Sequence, residues 1–333
     1  MILTLEELRQ TAAVTGFQEE SLEKVIRLIG LLNAIQRHPY LRSRVALKGG
    51  TALNLFVFEL PRLSVDIDLN YIGATDRETM MAERGPLEQA LRAVCEREGL
   101  TPKRTPGEHA GGKWRITYIN AFGRNANLEL DVNFTLRVPL WPVQRLDTYR
   151  VGAFQARQIP VLDAHELAAG KLAALLSRTA SRDLYDAGRL LQWPELDLSR
   201  LRLGFVVYGA INRRDWRAVH LDDLHFDVEE VRRFLVPVLR AGIIPQDIGL
   251  AAWLKGLEED CRRGLSRLLP LDTRELAFLE AINQHGEIRP EFLTDDEALV
   301  ERLRHHPGLL WKALNVRKHS DAGGKQPDGK RKL

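Results

Sequence analysis

The stretch LKGGTALNLFVFELPRLSVDIDLNY, residues 47–71, decides the fold. It places a Gly-Gly turn before an apolar helical run and then puts acidic residues at alternate positions of a strand. Glycine lets the main chain turn tightly and approach a ligand, and a helix N-terminus attracts phosphate. Thr51 is predicted to cap the helix and Pro61 to stop it. The alternation in VDIDLNYI predicts a strand with one buried and one polar face.

The polar face of this strand carries two carboxylates that project in the same direction, Asp66 and Asp68. Hard oxygen ligands suit Mg²⁺ (or Mn²⁺), which keeps water and substrate phosphates in its other positions. A later strand, LELDVNF, repeats the pattern and contributes Asp131, a candidate third ligand for a two-metal site. Each motif alone also fits a plain turn or a solvated strand edge. Their conjunction in this order favours a nucleotide and metal site.

The composition is that of a soluble globular protein, with 44% hydrophobic and 28% charged residues among 333. No apolar run reaches the length of a membrane span, and the first ten residues lack the pattern of a signal peptide. The two cysteines lie far apart and show no metal-ligand spacing. These features predict a reduced, cytoplasmic protein without a membrane partner.

The net charge of +3 belongs to the end of the chain. Seven of the 48 Lys/Arg and two of the 45 Asp/Glu fall from Lys312 onward, which leaves 41 basic and 43 acidic residues before it. The basic balance is therefore no evidence that the folded body binds a polyanion. Residues 317–333 lack apolar side chains to bury and are predicted to form a basic, disordered tail. That tail either steers an RNA or only adds solubility.

The rest of the chain predicts an α+β (mixed α/β) fold, a small mixed β-sheet flanked by helices. Helical periodicity covers residues 5–36 and 76–99, strands are predicted in RVALKG, KWRITYIN, ANLELDVNFTL and FQARQIPVL, and helices dominate from residue 163 onward. We predict the sheet domain at 1–200, a helical domain at 201–316, and the tail after it.

A second cluster, HELAAGKLAALLSRTASRDLYDAGRLL at residues 165–191, carries charges at helical spacing. Its basic stripe is predicted to face the acidic strand, and a new helix capped by Thr179 or Ser181 follows. As a functional cluster, Lys171 neutralises triphosphate charge, and Asp186 orients it or assists the nucleophile. Alternatively, the cluster is an exposed face of ion pairs. The residues concerned are Lys171, Arg178, Arg182, Asp183 and Asp186.

The three stretches together resemble the AbiEii-type nucleotidyltransferase toxins of type IV toxin–antitoxin and abortive-infection systems, which have a DNA polymerase β-like nucleotidyltransferase fold. The resemblance covers roughly residues 30–200 and implies an NTP substrate, a tRNA 3′ end as acceptor and a cognate antitoxin. It implies a nucleotide-binding turn at Gly49, Gly50 and Thr51, metal ligands at Asp66 and Asp68, and essential residues at Lys171 and Asp186, with Asp183 as a further acid. Arg62 and Ser64 are placed either at the phosphates or as plain turn residues.

The leading hypothesis is therefore a Mg²⁺-dependent nucleotidyltransferase that adds a nucleotide from an NTP to an RNA and releases pyrophosphate. Two alternatives stay open. The same motifs serve transfer to a protein side chain, because the metals act on the triphosphate whatever the acceptor is. The second alternative is a protein without catalytic activity, namely a nucleotide-binding module that is regulated by a partner.

Overall fold

The structure, a computed structural model, describes residues 3–105 and 111–323. Its centre is a seven-stranded mixed sheet with the order β3-β4-β5-β2-β1-β7-β6. The strands are β1 (Val45–Lys48), β2 (Asp66–Tyr71), β3 (Thr101–Arg104), β4 (Gly112–Ile119), β5 (Asn125–Asn133), β6 (Gln144–Leu146) and β7 (Ile159–Val161). The mixed sheet confirms the predicted fold class.

Helices cover the sheet and continue beyond it. They are α1 (Leu5–Thr15), α2 (Glu19–Arg37), α3 (Gly49–Ala52), α4 (Arg77–Arg97), α5 (Ala164–Arg178), α6 (Ser181–Leu191), α7 (Leu198–Ile211), α8 (Val228–Phe234), α9 (Leu250–Leu265), α10 (Thr273–Glu280), α11 (Glu297–Arg304) and α12 (Pro307–Gly323). Within these described parts of the chain, no helix has the length and apolar character needed to cross a membrane.

Strand pairing places the acidic positions near the middle of the sheet. β2 runs antiparallel to β1 and parallel to β5, so it has a neighbour on both sides. Ile67 and Leu69 of β2 are buried on the core face, whereas Asp66 and Asp68 on the opposite face are partly exposed. The predicted alternation is therefore observed, and it turns both carboxylates away from the core.

Two strands were missed in the sequence. β3 contains a proline and two charged residues in four positions, and β6 is only three residues long with a partly exposed surface. Both lie at or near an edge of the sheet, where short and polar strands are common. Neither shows the apolar alternation that reveals β2 and β5.

The predicted domain boundary at residue 200 falls inside α7, which packs against α5. The buried apolar side chains form one cluster that extends from Leu3 to Ala313. The C-terminal helices thus share a core with the sheet, and no linker lies at the predicted boundary. The last helix, α12, continues to Gly323 and so includes the first residues of the predicted tail; the remainder of the tail lies outside the described residues.

Candidate active site

The carboxylates of β2 face a third carboxylate across the sheet. In the parallel register with β5, Asp68 is opposite Asp131 and Asp66 is opposite Glu129. On the other side, Lys48 of β1 is opposite Asp68. The three predicted metal ligands therefore lie on adjacent strands at the same level of the sheet. Across the residues that the structure describes, no set of three acid, His or Cys side chains is close enough to hold a metal ion alone.

Burial disfavours the charged form of two of these acids. Burial raises the pKa of Asp66, and the carboxylates of Asp68 and Glu129 raise it further against the opposing effect of Arg182. Burial also raises the pKa of Asp131, with Asp68 adding to the effect and Lys48 opposing it. A raised carboxyl pKa means that the ionised form is disfavoured. A cation bound beside them would favour the ionised form.

The Gly-Gly turn lies directly against this acid face. Gly49 has φ +73°, and a Cβ added there would lie 2.3 Å from Oδ2 of Asp68. A Cβ added to Gly50 would lie 2.9 Å from Oγ of Ser64 and 3.0 Å from Nη2 of Arg62. Both positions therefore need glycine for close approach, and Gly49 also needs it for its left-handed backbone.

The prediction that Thr51 caps the helix was wrong. α3 begins at Gly49 with Lys48 at the N-cap position, and a turn of π-helix over Leu53–Val57 continues it. Thr51 is fully buried, and its hydroxyl donates a 2.5 Å hydrogen bond to the main-chain carbonyl of Asp66. Thr51 therefore connects the turn to β2 from behind, and this contact takes up the hydroxyl that was predicted to bind phosphate.

Replacing Gly49 with alanine is expected to lower transfer about 100-fold, because the new methyl group displaces the Asp68 carboxylate, and misplacement by about 1 Å has effects of that size. The left-handed backbone adds a stability cost of about 1–2 kcal/mol. Gly123→Ala is the matched control, since Gly123 has φ +75° and no atom within 4 Å of its added Cβ. Steady-state transfer rates and thermal unfolding of both variants test this; equal activity in the two would contradict it.

The opposite wall of the site is basic. Lys171 and Arg178 lie on α5, and Arg182 lies on α6 after a break at Thr179, which has φ 47°. Nη1 of Arg182 is 3.9 Å from Oδ2 of Asp66. The predicted basic stripe thus faces the acid strand, although it crosses two helices. The predicted caps were wrong, since Thr179 ends α5 and Ala180, without a side-chain hydrogen bond, precedes α6.

Lys171 is held by two buried acids of α6. Its Nζ lies 2.8 Å from Oδ1 of Asp183 and 3.0 Å from Oδ2 of Asp186. Asp183 also accepts hydrogen bonds from Nε and Nη2 of Arg178 at 2.6 and 3.1 Å. Burial raises the pKa of Asp183, but Lys171 and Arg178 outweigh burial and the net pKa is lowered. Asp183, the further acid in the sequence prediction, therefore positions two cations at once.

Asp186 is fully buried behind the cleft. It forms a two-pronged ion pair with Arg62, from Nε to Oδ1 at 2.7 Å and from Nη2 to Oδ2 at 2.5 Å. Nδ2 of Asn54 donates to the same Oδ1 at 3.1 Å. Burial raises the pKa of Asp186, yet Arg62 and Lys171 lower it to about 2. Asp186 is thus placed to hold Lys171 and Arg62 rather than to touch a substrate.

A cleft of about 420 Å³ separates the acid strand from the basic wall. It brings together most of the predicted site residues, whereas Thr51 and Asp186 lie behind its surface and Gly49 lines an adjoining cavity. The predicted residues in the cleft are Gly50, Arg62, Ser64, Asp66, Asp68, Asp131, Lys171, Arg178, Arg182 and Asp183.

Three residues of the site were missed in the sequence. Asn54 donates to the carbonyl of Gly50 at 3.0 Å as well as to Asp186, and so joins the turn to α6. A buried amide in the apolar run ALNLFVF was the available signal, because such a group needs a partner. Lys113 and Glu129 line the cleft and form an ion pair at 2.6 Å. In the sequence, Lys113 and Glu129 were marked only by the alternation of their strands, which any strand with an exposed face shows.

A Gly-Gly turn packed on an acid pair, with cations across a cleft, is the arrangement of a nucleotidyltransferase. The family described as "Nucleotidyl transferase AbiEii toxin, Type IV TA system" matches residues 31–302. The chain belongs to this AbiEii family of nucleotidyltransferase toxins. Family membership confirms the predicted enzyme class, argues against a non-catalytic module, and implies an NTP substrate and a cognate antitoxin.

Among solved structures, the chain is similar to MenT4, a nucleotidyltransferase toxin from Mycobacterium tuberculosis H37Rv. The TM-score is 0.59 at 20% sequence identity, and the match covers 91% of this chain and 100% of that chain. At this identity the likeness supports the fold, including helices beyond the sheet. No curated protein matches the chain significantly.

Proposed function

We propose that the protein transfers a nucleotide from an NTP to the 3′ end of an RNA, with tRNA as the acceptor, and releases pyrophosphate. One observation carries the proposal: the acid pair Asp66 and Asp68 faces the cations Lys171, Arg178 and Arg182 across a single cleft. Triphosphate transfer needs carboxylates that hold a metal on one side and cations that hold phosphate oxygens on the other. We further propose that the enzyme works in the cytoplasm, under the restraint of its cognate antitoxin.

The donor set fits Mg²⁺ (or Mn²⁺). Asp66 and Asp68 are hard oxygen ligands on one strand face, and Asp131 is beside Asp68 in the register. Mg²⁺ characteristically takes one or two carboxylates and completes its shell with water and substrate phosphates, which agrees with a site of few protein ligands. Burial raises the pKa values of Asp66 and Asp131, and a bound cation would favour their ionised forms. When bound, the metal supplies Lewis-acid stabilisation of the reacting phosphate oxygens.

The residues of the chain itself have separate roles in this reaction. Lys171, fixed by Asp183 and Asp186, presents its ammonium group to the cleft, where it stabilises phosphate charge. Arg178 and Arg182 have side chains 65% and 40% exposed at the rim, where they reach incoming phosphates. Gly50 has no side chain, so the main chain can approach the phosphates closely. The acceptor hydroxyl attacks the α-phosphate in line and gives up its proton to solvent. Its bond to phosphorus forms as the bond to the leaving pyrophosphate breaks.

The rim also favours RNA over a protein acceptor. Partly exposed arginines and Lys113 stand beside the acid strand, and an RNA backbone gains affinity from such cations by releasing counterions. A protein side chain offers no comparable charge. Transfer to a protein would instead label a protein band.

The test incubates the protein with Mg²⁺, total cellular RNA and, in turn, each of four NTPs labelled at the α-phosphate. We expect a labelled band of tRNA size on a denaturing gel with at least one NTP, and none with Asp66→Ala. The NTP that gives the band identifies the nucleotide. A labelled protein band without labelled RNA would contradict the RNA acceptor, and no label in any fraction would contradict the proposed activity.

A further inference from the structure

The cleft between the acid strand and the basic wall has a second arm. The acid arm is the 420 Å³ cavity lined by Asp66, Asp131 and Arg182. The aromatic arm is an adjoining cavity of about 490 Å³ lined by Tyr208 and Trp311. The two arms share Gly50, Asp68, Lys171 and Arg178, so a ligand whose phosphates lie at Lys171 can extend into either one.

The aromatic arm differs from the acid arm in chemistry. Apolar side chains form its floor and sides, namely Leu136, Leu162, Leu167 and Ile211. The hydroxyl of Tyr208 donates a 2.9 Å hydrogen bond to buried Glu166, and a Cβ added to Gly170 would contact its ring at 3.4 Å. Tyr208 is therefore held in place by α5 and forms a rigid part of the wall.

Trp311 completes the arm from the last helix. It lies on α12 and remains 48% exposed, although a tryptophan normally buries most of its surface. Its position is beyond residue 302, where the match to the AbiEii family ends. A half-exposed indole beside a catalytic cleft is thus a feature of this chain rather than of the matched family region.

Two cations accompany the aromatic rings. Arg213 lines the arm and is exposed, and within residues 3–105 and 111–323 its guanidinium has no salt bridge or hydrogen bond. Lys48 lies on the side of the arm nearest Asp68. Flat aromatic surface, apolar sides and free N–H donors are the features with which proteins bind nucleobases.

We propose that the aromatic arm binds the base of the NTP, which stacks on Trp311. This inference rests on the proposed function. The triphosphate lies where the arms meet, at Lys171 and Arg178, and the acid arm offers charged groups but no flat apolar surface for a base. The acceptor hydroxyl has to reach the carboxylates, so the RNA enters through the acid arm and the aromatic arm is left for the NTP base.

The experiment measures binding by calorimetry, with Mg²⁺ present and without RNA. The ligands are the α,β-methylene analogues of the four NTPs, which cannot react, and inorganic triphosphate, which has no base. We expect Trp311→Ala to weaken binding of the preferred analogue about tenfold, since stacking on an aromatic side chain contributes to the affinity for a base. Binding of inorganic triphosphate is expected to stay unchanged, and Trp311→Phe is expected to retain most of the affinity.

Leu314→Ala is the matched control, because Leu314 is on the same helix, is 45% exposed and does not line the arm. Unchanged analogue affinity in Trp311→Ala would overturn the inference. An equal loss for inorganic triphosphate would also overturn it, as would a raised KM for tRNA with unchanged analogue affinity. Failure of the unmodified protein to bind any analogue or triphosphate would instead contradict the proposed function.

Discussion

Asp66→Ala is expected to abolish nucleotide transfer and growth inhibition and to leave the fold intact. A carboxylate that holds the metal contributes several kcal/mol to the transition state, so the rate should fall about 10³-fold or more. The folded state does not depend on this group, because burial and the charges of Asp68 and Glu129 disfavour its ionised form. The free energy of unfolding should therefore change by no more than about 1 kcal/mol.

Three measurements check this result together: transfer to RNA, growth on induction, and denaturant unfolding. Asp247→Asn serves as the control, since Asp247 is an exposed acid far along the chain from β2. Full toxicity of Asp66→Ala would contradict the metal assignment. If Asp66→Ala lost both its activity and its folded state, the prediction that this residue serves activity but not stability would be contradicted.

Unlike Asp66→Ala, the variant Asp186→Ala is expected to destabilise the fold. Its free energy of unfolding should fall by about 3–5 kcal/mol, the usual effect of removing one partner of a buried ion pair. Arg62, with 2% of its side chain exposed, would keep only a hydrogen bond to the carbonyl of Leu63. Asn54 would lose one of its two acceptors, while Lys171 would retain Asp183. Activity should fall as well, because Lys171 and the Gly-Gly turn lose their common support.

The pH dependence gives an independent check on this ion pair. The folded pKa of Asp186 is lowered from 3.8 to about 2, so the folded state binds its proton less tightly than the unfolded state does. The stabilisation is therefore complete above about pH 4 and is lost as the pH falls toward 2. Urea unfolding measures the free energy of unfolding of the unmodified protein and of Asp186→Ala. The difference between the two should decrease as the pH falls from about 4 toward 2. A difference below 1 kcal/mol at neutral pH would contradict the role assigned to the pair.

The two variants separate two kinds of acid in one site. Asp66 and Asp131 lie where burial and like charge disfavour ionisation, a cost that a bound cation removes. Asp183 and Asp186 are more deeply buried but fully paired with cations, and their pKa values are lowered. Under the proposed function, Asp66 and Asp131 would serve the ligand, whereas Asp183 and Asp186 hold cations in place.

The sequence by itself determined the parts of this protein that depend on local order. Apolar alternation identified β2 and β5, because side chains of a strand alternate between its faces. The position of Asp66 and Asp68 on the polar face follows from that alternation. The Gly-Gly turn was recognisable because few other residues tolerate such a backbone. The order of these motifs, with Lys171 after them, indicated a nucleotide and metal site and carried the family resemblance that implies the enzyme class.

Only the tertiary structure decided which distant residues meet. The register that sets Asp131 beside Asp68 depends on how β5 pairs with β2. The partners of Asp186 come from the turn after α3 and from α5, and Trp311 reaches the cleft from the last helix. Thr51 faces away from the cleft because its hydroxyl binds the main chain of β2. Arg62 and Asp186 are 124 positions apart in the chain. Local propensity carries no information about such contacts, since packing and charge pairing arise only when the whole chain has folded.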